Sequence, residues 1–250
     1  MRNLTLTALE GIPEIQSGDD LVAIVIEGLE RSSLVLSDGD VLVLAQKIVS
    51  KSEGREVELA EVVPSQRALE LAAITGRDAR MLELVLGEST EVIRCKRDVI
   101  VVEHRLGYVM ANAGIDLSNV AGGGETALLL PLDPDASCER LRASLRDKAD
   151  VGIVINDSFG RAWRNGVAGV ALGVAGLPGV VDMRGRPDRF GRALQVTQIG
   201  FADELASAAS LLMGQANEGY PVIHARGVPY ARRDGNGREL LRPKSMDLFR

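Results

Sequence analysis

The strongest constraint on this chain is the run Val151-Gly-Ile-Val-Ile155, which stops abruptly at Asn156-Asp-Ser158, with Arg161, Trp163 and Arg164 a few residues beyond. A short apolar run that ends abruptly in polar residues reads as a buried, rigid strand. Groups placed just past the end of a rigid strand are held in position while still meeting solvent. Asp157 and Ser158 are hard oxygen donors suited to Mg²⁺ or Mn²⁺. Arg161 and Arg164 suit planar, bidentate contact with phosphate or carboxylate.

Composition narrows what such a strand end can serve. Aromatics are 3% of the 250 residues, so the core rests on Val, Leu, Ile and Ala, and base-stacking platforms have little raw material. A net charge of -6 argues further against a nucleic-acid partner. Cys95 and Cys138 show no metal or redox spacing, which makes a reducing cytoplasm the expected compartment. The first residues lack a secretory pattern. The longest uncharged apolar stretch, 166 to 181, falls short of the roughly 18 to 20 residues of a membrane span and is broken by glycine.

Helical and strand periods alternate without a long linker, which predicts an α+β fold of mixed sheets with packed helices in two intimate lobes. Asp19-Asp20 caps a helix carrying Leu21, Ile24, Val25 and Leu29 on one face, followed by a strand over 41–45. Pro64 suits the first turn of a helix that runs to Ile74 and closes at Gly76. Strands are predicted over 92–93, 99–102, 127–130, 151–155, 194–197 and 222–223, with helices over 135–148 and 202–213. Gly107 to Met110 continues the region after 99–102, and Gly122-Gly-Gly124 marks a seam between lobes. Gly166, Gly169, Gly173 and Gly176 recur at helical spacing, a smooth face for close backbone packing.

Two more polar constellations follow apolar runs. In Ala111-Asn-Ala-Gly-Ile-Asp-Leu-Ser-Asn119, Asp116 suits a cation and Asn119 lies one helical turn away, although both residues equally suit capping a turn. In Gln46-Lys-Ile-Val-Ser-Lys51 the two lysines have i,i+4 spacing, fit either to meet a polyphosphate from one side or to form a solvated face. The patterns of a P-loop and of a Rossmann dinucleotide turn are both missing, so any nucleotide is held unconventionally. Arg184, Arg186, Arg189 and Arg192 crowd around Asp182 and Asp188, and the stretch from Arg226 onward is basic, which suits a polyanionic substrate or a solvated or subunit-facing tail. His104 and His224 are far apart in sequence and read as structural.

Together the segments 12–15, 46–54, 111–120, 156–166, 182–186, 202–206 and 213–221 resemble the coenzyme F420:L-glutamate ligase family over nearly the whole chain. The resemblance implies a GTP-dependent γ-glutamyl ligase that adds L-glutamate to the lactyl-phosphate side chain of a deazaflavin coenzyme precursor, releasing GDP and phosphate. It implies one family domain over 1–250, without a C-terminal reductase domain, in a cytoplasmic homodimer that uses Mg²⁺ or Mn²⁺ and potassium. Carried over, it makes Asp116 and Asp157 the catalytic carboxylates and Asp116, Asp157, Ser158 and Gln215 the metal ligands. Ile12, Pro13, Glu14, Ile15, Gln46, Lys47, Lys51 and Asn119 would contact GTP. Met213, Gly214, Gln215, Ala216, Asn217, Glu218, Gly219 and Tyr220 would form another wall of that site. Ser158 stands where the family favours threonine, and Gln215 offers a neutral oxygen where a carboxylate would bind a second metal more tightly. Another metal-dependent amide ligase or phosphotransferase, with a different acceptor or nucleotide, would share the metal loop, and a non-catalytic module would bind GTP without turnover.

Overall fold

The computed structural model describes residues 3–118 and 124–248. In chain order its strands and helices are β1 (Thr5–Ala8), α1 (Leu21–Arg31), β2 (Val41–Ala45), α2 (Gln46–Ser52), β3 (Glu56–Glu58), α3 (Gln66–Thr75), α4 (Ala79–Gly87), β4 (Ser89–Lys96), β5 (Val99–His104), β6 (Val109–Ala111), β7 (Thr126–Leu128), α5 (Pro134–Leu145), β8 (Gly152–Arg161), β9 (Arg164–Ala175), β10 (Val181–Asp182), β11 (Gln198–Ile199), α6 (Phe201–Met213) and β12 (Val222–Arg226). The fold is α+β. No helix among the described residues is long and apolar enough to cross a membrane.

The central sheet has the order β1-β12-β2-β8-β9, with β2 and β8 parallel and every other pair antiparallel. Both of its faces are covered, which explains why β2 and the start of β8 are apolar at nearly every position. Leu42, Leu44, Ile153 and Ile155 face α1 and α5 through Val25, Leu29, Leu141 and Leu145. Val41, Val43, Val154 and Ile223 face α6 through Ala202, Leu205, Ala206 and Ala209. A third core, built from Leu71, Leu82, Val85, Ile100, Val102 and Ala127, gathers α3, α4, β5 and β7 beside the sheet. The chain therefore has a sheet-centred region and a smaller one within residues 57–129. Glycines 122 and 123 of the expected seam lie outside the described residues.

Local chemistry sets the helix ends. Asp20 caps α1 by accepting from Val22 N and Ala23 N, as its sequence predicts. Ser65, and not Pro64, begins α3: its hydroxyl accepts from Ala68 N, leaving Pro64 outside the helix, and Gly76 closes the helix in the left-handed conformation.

Three expectations are corrected. The stretch after Ile155 is not a loop, because β8 continues to Arg161 by pairing with β9 down to Arg161 opposite Arg164, so that Asp157 and Ser158 are strand residues. The glycine-spaced segment is a strand and not a helical face. Its Gly169 packs on α6 and its Gly173 on Pro134 at the start of α5, positions where a Cβ would stand only 2.4 Å from Ser210 Oγ and 2.3 Å from Pro134 O. Residues 194–197 form no strand; only Gln198–Ile199 pairs, with β10, and Val196 is exposed with nothing to bury it.

Candidate active site

The C-terminal end of β2 lies beside the middle of β8 in parallel register, Ala45 opposite Asn156, and this fixes what meets there. Chain leaving β2 turns straight into α2, placing Gln46, Lys47 and Lys51 at the rim. Chain leaving the buried half of β8 carries Asn156, Asp157 and Ser158. A register shift between Ile155 and Asn156 marks a bulge at this point, a device that re-aims side chains. On the third side, Asp116 follows a short helical turn in which Asn112 and Ala113 take positive φ of 55° and 53°, and it is pinned to Leu128 by reciprocal backbone hydrogen bonds of 3.0 and 2.9 Å. The end of α6 and the loop from Met213 to Tyr220 close the fourth side. The cleft between these four sides is open to solvent and has a volume of about 440 Å³.

The sequence-predicted residues converge on this cleft. Ile12, Pro13, Glu14, Ile15, Gln46, Lys47, Lys51, Asp116, Asp157, Ser158, Met213, Gly214, Gln215, Ala216, Asn217, Gly219 and Tyr220 all line it. Glu218 does not: its carboxylate turns back to accept from Ala216 N at 2.8 Å and fills the space beside Gly214, so it shapes the loop from behind. Asn119 lies outside the described residues. Arg161 and Arg164 are exposed near the tip of the β8–β9 hairpin, outside the lining, because the strand carries them outward. The two histidines are indeed buried elsewhere: His104 accepts from Leu106 N at 3.0 Å, and His224 meets Asp40 at 2.8 Å. Asp182 and Asp188 pair with Arg184 and Arg192 at the surface.

Inside the cleft the charges hold one another. Lys47 Nζ stands 2.8 Å from Asp116 Oδ2, to which Gln46 Nε2 also donates at 3.1 Å. Ser50 Oγ fixes the Gln46 side chain by donating to its Oε1 at 2.9 Å. Lys51, buried, pairs with the exposed Glu14. Ser158 Oγ donates to Gln215 Oε1 at 2.9 Å and joins the strand wall to the loop wall. Burial pushes the Asp157 carboxyl up to about 7, and the Asp116 carboxylate adds to the rise, against the pull of the Ser158 N–H and of Lys47.

Sequence reasoning passed over Asn156. It is buried, donates through Nδ2 to Ser210 Oγ at 3.1 Å and to Met213 Sδ at 3.3 Å, and leaves its Oδ1 without a partner. It ties β8 to the last turn of α6, where the loop wall begins. The available signal was a polar residue at the end of an apolar strand, directly before the key carboxylate.

Comparison with known proteins completes this geometry. Residues 11–227 match the F420-0:gamma-glutamyl ligase family. The chain belongs to this family. Coenzyme F420:L-glutamate ligase of Methanothermobacter thermautotrophicus is 46% identical over 251 residues, covering 99% of both chains. The enzymes of that name from Methanopyrus kandleri and Halobacterium salinarum are 42% and 44% identical, covering 100% of both chains and 97% and 94% of the two chains, respectively. The cleft lies within the part of the chain matched to the F420-0:gamma-glutamyl ligase family, and so does every wall of it.

Proposed function

We propose that this chain is a GTP-dependent γ-glutamyl ligase that joins L-glutamate to the lactyl carboxylate of a deazaflavin coenzyme F420 precursor. The observation that carries the reading, beside family membership, is the meeting of Asp116 and Asp157, from two different regions, in one cleft with Lys47 and Lys51. Amide formation in water needs an activated carboxylate. Transfer of the γ-phosphoryl group of GTP to the acceptor carboxylate gives an acyl phosphate and GDP; the glutamate amine then attacks, the amide forms, and phosphate and a proton leave.

This chemistry asks for positioning and charge neutralisation more than for a covalent nucleophile. Lys47 and Lys51 would meet the polyphosphate, exchanging their present carboxylate partners, Asp116 and Glu14, for phosphate oxygens. Residues 12–15 and 213–220 would hold the nucleoside between them. The donor set fits a hard divalent cation: two carboxylates, Asp116 and Asp157, with the neutral oxygens of Ser158 and Gln215, and neither sulfur nor imidazole among them. Mg²⁺ or Mn²⁺ held there would neutralise phosphate oxygens. Asp157, whose carboxyl burial and the neighbouring Asp116 carboxylate raise, would then be ionised.

Mass spectrometry of purified protein with GTP, Mg²⁺ or Mn²⁺, L-glutamate and the unglutamylated deazaflavin, with ATP in parallel, tests the reading. A GTP-dependent gain of glutamyl units is expected. Absence of product with either nucleotide would overturn it, and product with ATP alone would overturn the nucleotide assignment.

A further inference from the structure

The outer half of the β8–β9 hairpin leaves the core and stands in solvent, with residues 160–167 all exposed. Its tip is the two-residue turn Ala162-Trp163 between the paired Arg161 and Arg164. Trp163 is 80% exposed and has a φ of 59°. Such a turn position is filled at lower cost by glycine or asparagine, since a bulky side chain in the left-handed region is strained. Here it carries the one indole of the chain. Strain of this kind at a solvent-facing aromatic directs attention to binding.

The tip is also continuous with the cleft. Asp157 and Ser158 lie on the same strand, and at about 3.3 Å per residue the turn begins roughly 10 Å beyond Ser158. On either side of the indole stand two exposed guanidinium groups; Arg161 spends one N–H on Asn165 O at 3.1 Å, and its planar fork suits phosphate.

We propose that Trp163 is the platform on which the planar ring of the acceptor stacks, with Arg161 and Arg164 meeting the phosphate of its side chain, so that the hairpin spans the distance from ring to reacting carboxylate. The inference rests on the ligase reading for the identity of the acceptor. A flat heteroaromatic ring has a π-face for indole, and an anionic side chain finds guanidinium groups on its way from the tip to Asp157. The hairpin thus measures the acceptor: ring at the tip, carboxylate at the cleft.

Two measurements test this. Steady-state kinetics of Trp163→Ala should show the acceptor KM raised about tenfold or more, the loss expected for one stacked ring, with the KM values for GTP and glutamate unchanged and recovery in Trp163→Phe. Arg161→Ala with Arg164→Ala should raise the same KM in a manner that fades at high salt. Equilibrium binding, followed by the fluorescence anisotropy of the deazaflavin itself without nucleotide, should weaken in parallel. An unchanged acceptor KM, an equal rise in all three KM values, or a shift in sedimentation that marks Trp163 as a subunit contact would each overturn the proposal. The binding arm needs no turnover. Weakened acceptor binding in Trp163→Ala alongside an inactive wild-type protein would therefore uphold the ring platform and remove the ligase reading.

Discussion

The two ends of the central sheet each hold a carboxylate, and they treat it in opposite ways. Asp40, just before β2, is buried, yet two hydrogen bonds from Arg226, of 2.9 and 2.6 Å, one from His224 and one from Ser37 N surround it. Burial alone would raise its carboxyl, but these partners outweigh burial and hold it at about 2. Asp157, halfway along the neighbouring strand β8 and level with the far end of β2, has only one backbone N–H and a lysine to set against burial and Asp116, and stands near 7. The end with satisfied charges ties β2 to β12. The end where Asp157 is under-compensated faces a cleft, where a ligand can supply what the protein withholds.

Substitutions can break this contrast. Asp157→Asn should abolish glutamylation, by on the order of 10³-fold or more in kcat, while keeping the fold, because it removes a repelled charge and not a paired one; the same mass assay with thermal unfolding alongside checks both halves, and an active variant would remove Asp157 from the chemistry. Asp40→Asn should do the reverse, costing about 2 to 4 kcal/mol of stability by leaving His224 and Arg226 without their carboxylate, yet sparing the turnover of the protein that remains folded. Denaturant titration gives the first number and active-site-normalised rates the second.

Gly169→Ala comes next. Its methyl would sit within 2.6 Å of Ser210 Oγ, Ala206 O and Asn156 Oδ1, so α6 must move off the sheet at about 1 to 3 kcal/mol, and the loop wall that begins at Met213 moves with it. A raised KM for GTP together with a lower Tm is expected. The smallest effect is the pH dependence. Asp40, lower in the folded than in the unfolded chain, contributes stability that is complete above about 4 and lost as pH falls from 3.8 toward 2, a limb that Asp40→Asn should flatten. Asp157, raised by folding, contributes stability at low pH that is lost as pH climbs from 3.8 toward 7, so metal-free Asp157→Asn should be the more stable protein near neutrality. Unfolding midpoints measured across pH 2 to 8 would show both slopes; the opposite sign in either would refute its cause.

Local signals in the sequence carried most of the fold. Asp20, Gly76 and the apolar runs of β2 and β8 act on their own neighbours, and their elements formed where expected. What escaped was set at a distance. β8 runs on through Asp157 and Ser158 only because β9 pairs with it, and a glycine spacing that looks helical serves two different neighbours from a strand. The cleft was legible because its residues follow apolar runs whose ends the sheet gathers. Asp40 and His224 were not read as partners because 184 residues separate them.

The sheet order has a consequence for how the protein comes into being. β1 pairs only with β12, and β2 lies between β12 and β8, so the first strands of the chain wait for residues 152–226 before they have neighbours. Such high contact order predicts slow folding, with the amino-terminal strands unpaired while the ribosome is still at work. The cleft walls close last, once the final strand slots between the first two. A nascent chain truncated before Val222 should therefore bind no nucleotide, however complete its list of ligands.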